Sequence, residues 1–424
     1  MHTREPLGRS FAVHQLSVGL ANLADGIIQI GLPLLAIGLT RSPARIGLLT
    51  GAVWLPWLLF GVPAGVFVDR WDRRKTRIAA LAARAGLLGA LFAVSIADAL
   101  SIWWLIATAV AYGVTEVFAD LAAQAQIPAL VSRDAAALQR ANARLLATEQ
   151  ITNSFLGAPL AGALVTLGAA WVIAGPAALV ALCVVVITVG IRGAFVATRP
   201  DDATPAGMRA EVGEGLRLLW HHRVLRPIFI AAGLWNLASS AFSAVILLWL
   251  VGPGSQGGWT KATFTWVLIG FPLGGLLGSW LAGPLLRRLR EMTVIVAAWG
   301  VNGVLNVVPI LSARVVPVAT FFVSVGVFAV LGNVVTQSLR QRLVPEHLLG
   351  KVSGSSRVIG YGLMPLGAVL GGQLAEQYGI PTVLWSVVAV MLIATAVVAI
   401  FVPQRVVDGY DADNERLAGD QPLR

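Results

Sequence analysis

Four carboxylates, Asp25, Glu116, Asp120 and Glu149, stand inside runs of apolar residues. Holding an acid at the centre of an apolar layer costs at least about 2.5–3.5 kcal/mol, so each such acid is by default a pairing or functional group. Asp25 is the sharpest case. At 100° per residue, His14, Asn22, Asp25 and Gln29 share one face of a helix, a polar stripe in an otherwise apolar segment. A carboxylate lining a poorly solvated cavity can load and release a proton, which makes Asp25 the candidate proton-coupling residue. The alternative is a fixed structural hydrogen bond. Glu149, one turn before Asn153, is the second candidate. Glu116 lies deeper in its run than Asp120 and could face Arg84, in a pair of structural character.

The elements that must hold these acids recur along the chain. Of 424 residues, 57% are hydrophobic and only 12% charged. Apolar stretches of roughly 20 residues, each able to cross a ~30 Å hydrocarbon layer as a helix, follow one another throughout. A membrane interior admits helices or closed barrels, and continuous apolar runs lack the alternation of barrel strands. The sequence therefore predicts an all-α membrane protein of twelve transmembrane helices, at about 12–39, 44–68, 76–97, 101–125, 140–167, 170–191, 227–250, 262–285, 292–312, 315–338, 353–376 and 380–402. The first run is too long for a signal peptide and lacks a small-residue cleavage site, so it is expected to remain as a helix.

The formal net charge of +10 follows the same plan. With these spans, Arg41, Arg45, Lys261 and Arg314 fall on one side of the membrane and Arg84 within it. Every other cation falls on the opposite side. Cations collect on the cytoplasmic side, so both termini are expected to be cytoplasmic. The basic surplus is thus a topology signal, and no basic module with interleaved aromatics points to nucleic acid. Cys183 is the single cysteine, which rules out an internal disulfide.

Six spans precede and six follow a polar stretch at 192–226, whose second part, EVGEGLRLLWHHRVLR, reads as an interfacial amphipathic helix with Leu216, Leu219 and Trp220 toward lipid or protein. The halves are related. LANLADGIIQ (20–29) aligns with LWNLASSAFS (234–243), GVPAG (61–65) with GFPLG (270–274), and APLAGAL (158–164) with MPLGAVL (364–370). The expected organisation is an N-terminal six-helix bundle (1–191), a cytoplasmic linker (192–226), a C-terminal six-helix bundle (227–402) and a cytoplasmic tail (403–424). Two parallel pseudo-symmetric bundles imply a central cavity that opens to either side by rocking, the physics of a secondary transporter. Symmetry pairs Asn22, Asp25 and Gln29 with Asn236, Ser239 and Ser243, a cavity lining with its acid in one half only. Trp235, beside Asn236, joins this lining.

One stretch carries a sharper signature. GVPAGVFVDRWDRRKTR (61–77) breaks from apolar to charged at Asp69, and then brings Arg70, Arg73, Arg74, Lys75 and Arg77 almost together, with Asp72 among them. Gly65, Asp69, Arg70, Arg73, Arg74 and Lys75 fit the loop motif between spans 2 and 3 of the major facilitator superfamily, which the whole chain resembles. Asp72 stands where that family usually has glycine, a variant similar to the enterobactin and macrolide exporter branch. The resemblance implies a cytoplasmic latch. Asp69 would face the helix N-terminus of span 11, and Arg73 would pair with Asp120 at the end of span 4. The alternative is that the cluster only obeys the positive-inside rule. The second copy, GSWLAGPLLRRLR (278–290), keeps cations but has Ala282 in place of the acid. SFLGAPLAGAL (154–164) resembles the antiporter stretch of family drug exporters, with Gly157, Pro159 and Gly162 in place and Ala158 and Ala163 replacing glycines. Ordinary packing of small residues would explain the same pattern.

A membrane enzyme would need a site, and none is visible. The histidines form no metal-binding cluster, and there is no nucleotide-phosphate loop. The expectation is a secondary transporter of the bacterial cytoplasmic membrane, exporting amphipathic small molecules of drug or siderophore type by proton antiport. Its expected partners are the substrate, protons and membrane lipids, with no cofactor and no nucleic acid, acting as a monomer. The runner-up readings are a lipid or metabolite transporter of the same fold, possible as an importer, and a non-transporting receptor or scaffold.

Overall fold

A peptide group left unpaired in hydrocarbon costs several kcal/mol, so each apolar run must close its hydrogen bonds within itself. The structure, a computed structural model, meets this demand with helices. It describes residues 7–132, 134–193, 195, 213, 217, 219–344 and 346–409. The elements are α1 (Arg9–Leu39), α2 (Pro43–Arg70), α3 (Arg73–Ile96), α4 (Ile102–Leu130), α5 (Ala135–Glu149), a π-helical segment (Gln150–Leu156), α6 (Gly157–Leu167), α7 (Ala169–Gly190), α8 (Leu225–Leu250), α9 (Lys261–Leu268), α10 (Gly270–Leu286), α11 (Glu291–Leu305), α12 (Val308–Leu311), α13 (Val315–Leu343), α14 (Glu346–Tyr378) and α15 (Ile380–Phe401). Among the described residues the only extended pairing is an isolated bridge between Val251 and Trp259.

Local chemistry sets the boundaries. Ser42, Asp72, Asp134 and Thr260 cap α2, α3, α5 and α9, their side chains accepting first-turn N–H groups. Gly168, at φ 129°, turns the chain between α6 and α7, in a backbone conformation that side chains with a Cβ avoid.

Ten described stretches are long and apolar enough to cross a membrane. The expected fifth and eleventh spans are not among them, for different reasons. The fifth is not one regular helix, because α5 passes into seven π-helical residues before α6. Pro159, just beyond that wide turn, has no N–H to donate and its ring crowds the carbonyl of Phe155 four residues back, which favours a local change of register. The eleventh falls in α14, a 33-residue helix. Many of its side chains, including those of 353–359, lie outside the described residues.

The chain divides into two compact units, residues 1–204 with 247–269, and 205–246 with 270–424. This differs from the boundaries expected from the sequence, because 247–269 joins the first unit. Two contacts explain it. Arg41 Nη1 donates to the Val251 carbonyl at 2.9 Å. Gly162 of α6 lies against Thr265 of α9 so closely that a Cβ would collide with the threonine hydroxyl. Most of the linker expected at 192–226, Leu216 included, and the tail beyond 409 lie outside the described residues.

In the first unit α1 lies against α4, α6 and α7, and α3 fills the space between α4 and α7. The second unit is built on α8, α11, α13 and α15, with a core that includes Phe229, Ile295, Leu339 and Val398. There α10 and α13 approach backbone to backbone. Gly274 and Gly278 abut Val323 and Val327, and Gly326 abuts Phe271.

Candidate functional site

The interior of the first unit is built around two arginines. Arg77 and Arg84 stand two turns apart on one face of α3, and each is at most 1% exposed. Burying a guanidinium is tolerable only with close partners. Arg84 Nη1 donates to Asp25 Oδ1 at 2.7 Å, and the Tyr112 hydroxyl donates to the same oxygen at 2.6 Å. The guanidinium carbon also lies 4.5 Å from the centroid of the Tyr112 ring, a cation–π contact. Arg84 Nε reaches Thr115 Oγ1 at 3.3 Å. Its Nη2 has no hydrogen-bond partner among the described residues.

Asp25 therefore does not stand free in a cavity. It is 7% exposed and turned into the helix bundle. The arginine's ion pair goes to Asp25 rather than to Glu116, which lies in its field. The reason is helix direction. On α1, His14 and Asp25 lie three turns apart and within about 20° of each other around the axis, while Asn22 and Gln29 sit some 40–60° away from Asp25. The stripe seen in the sequence thus splits in two. His14 and Asp25 face α3, whereas Asn22 is half-exposed and Gln29 exposed.

One step along, Arg77 Nη1 donates to His14 Nδ1 at 3.0 Å. An arginine only donates, so this fixes the histidine proton on Nε2, which is buried. Gln126 is fully buried and its side-chain amide interacts with His14. Because His14 meets Arg77 and Asp25 meets Arg84, α1 and α3 run in the same direction. On α4, Tyr112, Glu116 and Asp120 recur every four residues, so their side chains form a column. Arg84 feels the charge of both Glu116 and Asp120, and Asp120 that of Arg77 and of Glu149. Four acids and two arginines thereby form one electrostatic group. Glu149, half-exposed at the end of α5, is its outermost member.

The antiporter-like stretch packs on this group. A Cβ on Gly157 would stand 2.7 Å from Gly26 Cα, and one on Gly26 would strike the Asn153 carbonyl. Gly26 is the residue next to Asp25, so the π-helical segment and α6 touch α1 at the level of the carboxylate. The second unit repeats the contact, with Gly367 of α14 against the Leu237 backbone and Gly371 against Ala241. Close helix approach explains Gly157 and Gly162, and Pro159 accompanies the π-helical turn.

At the charged loop, Asp72 Oδ1 accepts from Arg74 N at 2.9 Å and Lys75 N at 3.1 Å, and Oδ2 from Phe195 N at 3.3 Å. The residue standing for the family's usual glycine is thus the N-cap of α3. Arg74 Nη2 donates to the Thr188 carbonyl on α7 at 2.9 Å. Arg73 reaches α4 as expected, but the bond there goes from Nη1 to the Ala125 carbonyl at 2.9 Å rather than to Asp120. Gly65 is not tightly packed, since an added Cβ would meet nothing within 4 Å. The side chains of Asp69 and of 353–359, at the start of span 11, lie outside the described residues. Arg70 is exposed and, with Trp71, Lys75 and Phe118, borders a cavity of about 660 Å³.

In the second unit, Asn236 and Ser239 are half-buried and Ser243 is exposed. That is the exposure order of Asn22 and Gln29, and only Asp25 is drawn inward relative to its counterpart. Trp235 packs its ring 5.6 Å from that of Trp299, against the core rather than clear of it. The sequence pattern missed Tyr112, Arg77 and the inward face of His14. The i, i+7 spacing of two arginines within one apolar run was the available signal.

Comparison with known proteins agrees with this architecture. A family model described as transmembrane secretion effector matches residues 6–422. The chain is 26% identical over 403 residues to the multidrug efflux pump Tap of Mycolicibacterium fortuitum, covering 91% of this chain and 93% of that one. It is 24% identical over 368 residues to macrolide efflux protein A of Streptococcus pyogenes, covering 84% and 87%. Among solved structures, the nucleoside transporter NupG superposes with a TM-score of 0.73 at 12% identity, over 93% of this chain and 100% of the other. A bacterial metal transporter gives 0.62 at 18% identity, over 94% and 99%.

Proposed function

We propose a proton-driven exporter of amphipathic small molecules, proceeding from the fact that the chain belongs to the transmembrane secretion effector family of major facilitator transporters. One observation carries the coupling: a carboxylate inside a span, held by a buried arginine and a tyrosine, with further acids in the field of the same arginine. Proton transfer to Asp25 cancels its charge and the ion pair loses its attraction. Arg84 then turns toward Glu116 and Asp120, which remain as counter-charges on α4. A buried charge pair of this kind has two discrete arrangements, which suits alternating access better than graded motion. Gly26 adjoins Asp25 and touches the π-helical segment, so a change at the carboxylate reaches α6 directly.

Tap and the macrolide efflux protein support export as the direction, and drug-like molecules as the cargo. Twelve spans in two six-helix halves, cytoplasmic termini and a bacterial inner-membrane location complete the reading. It rests on the repeat and on the asymmetric placement of cations.

The test is accumulation of fluorescent amphipathic compounds in bacteria stripped of their main efflux pumps, with and without a protonophore. Wild type is expected to exclude dye in a protonophore-sensitive way, and Asp25→Asn to lose this at normal membrane levels. Equal pumping by both proteins would leave export standing and remove Asp25 from coupling. Protonophore-insensitive exclusion would sink antiport itself.

A further inference from the structure

At the start of α8 the second unit holds a cavity of about 560 Å³ with a basic rim and an apolar floor. The helical residues Leu219 to His221 end in a turn pinned by His222. Its buried Nδ1 accepts from Val224 N and Leu225 N, each at 3.2 Å. This turn brings Arg217 and Arg226, nine positions apart in sequence, to line the same cavity. Arg226 Nη1 also lies 3.5 Å from the Trp220 carbonyl. Both arginines are exposed, and among the described residues no acid lines the cavity.

Below the rim, Phe229 and Ile230 of α8 and Leu363 of α14 supply the apolar wall. The Trp220 side chain also lines the cavity and is 62% exposed. Since α8, long and apolar enough to cross a membrane, begins at Leu225, rim and wall are expected at the level where a lipid changes from headgroup to acyl chain.

We propose that this cavity is a binding site for one anionic phospholipid, its phosphate between Arg217 and Arg226 and an acyl chain along Phe229, Ile230 and Leu363. Two guanidiniums, with no acid among the described residues that line the cavity, favour a lipid of net negative charge. A zwitterionic lipid would bring its ammonium group into the same positive field. Trp220 suits the junction, being amphipathic and placed at the depth where indoles settle. The assignment rests on the chain spanning a membrane and does not depend on export or on Asp25.

The experiment is native mass spectrometry of the full-length protein in detergent, titrated with phosphatidylglycerol and, separately, with phosphatidylcholine. Wild type should retain phosphatidylglycerol about tenfold more tightly than the Arg217→Gln/Arg226→Gln variant, with phosphatidylcholine bound alike by both. Inorganic phosphate in excess should not displace the lipid. Displacement would mean a simple anion site and overturn the assignment, as would equal retention of phosphatidylglycerol by the two proteins. Should the double variant fail to fold, brominated lipids give an independent reading. The fluorescence present in wild type but absent from Trp220→Phe should be quenched more by brominated phosphatidylglycerol than by brominated phosphatidylcholine. Equal quenching would overturn the proposal.

Discussion

Asp25 of α1 and Arg84 of α3 meet at 2.7 Å in the interior of the first unit, with the Tyr112 hydroxyl on the same carboxylate oxygen. Fifty-nine positions separate the two residues in sequence, and neither makes sense alone. An unpaired guanidinium or carboxylate at that depth would be among the most costly groups in the molecule.

Removing the arginine alone should therefore cost more than replacing both partners. Arg84→Ala is expected to destabilise the protein by about 3–5 kcal/mol, because Asp25 is left buried and unpaired. The double variant Asp25→Asn/Arg84→Gln should be milder than Arg84→Ala. Tyr112→Phe removes one hydrogen bond to a charged group and should cost about 1.5–3 kcal/mol. Thermal unfolding of the detergent-solubilised proteins would decide the ranking. A double variant at least as unstable as Arg84→Ala would contradict it.

The glycines of the two family-like stretches should separate cleanly. Gly26→Ala and Gly157→Ala each force a methyl group into a facing helix backbone. They are expected to lose about 1–3 kcal/mol. Gly65→Ala places its methyl in open space and should leave stability unchanged or raise it by up to about 1 kcal/mol. Normal membrane levels with lost transport in Gly65→Ala would show that the latch glycine acts in a conformation other than this one. Normal transport would show that the position does not need glycine.

Asp72 ties three backbone N–H groups together at the start of α3. Asp72→Ala should cost about 0.5–2 kcal/mol, the usual loss for a helix cap. Asp72→Asn should recover most of it, because an amide oxygen still accepts. If both substitutions are neutral in unfolding experiments, the cap contributes nothing to stability.

Stability should also depend on pH through His222. Burial holds its imidazole below the ordinary histidine range, and its Nδ1 is occupied as an acceptor from two N–H groups. The unfolded chain takes up a proton near pH 6.5 while the folded chain resists. The unfolded state then binds more protons, so folding stability falls as pH drops below about 6.5. His222→Asn should flatten that part of the profile. An unfolding midpoint in the parent protein that does not change between pH 7.5 and pH 5 would contradict the assignment.

Much of the fold was legible because lipid leaves a chain few options. Apolar length gives helices, and the helices found coincide with most of the expected spans. The fifth was less regular than its composition suggested, since hydropathy is blind to the carbonyl that Pro159 crowds. At the charged loop the cluster was legible but its partners were not. Arg73 and Arg74 end on main-chain carbonyls, and every residue offers a carbonyl, so sequence cannot mark which one is used. The stripe on α1 was read as one face, yet the offset of about 40–60° between Asp25 and its two neighbours sends it inward and leaves them outward.

By itself the sequence determined the helices, the internal repeat and the presence of buried acids, because each depends on local length, periodicity or residue type. Tertiary structure alone decided which acid Arg84 holds, that His14 serves Arg77, and that residues 247–269 join the first unit. Those outcomes depend on the rotation and direction of helices brought together from distant parts of the chain. A one-residue step turns a side chain by about 100°, so the same composition admits several pairings and only packing selects one.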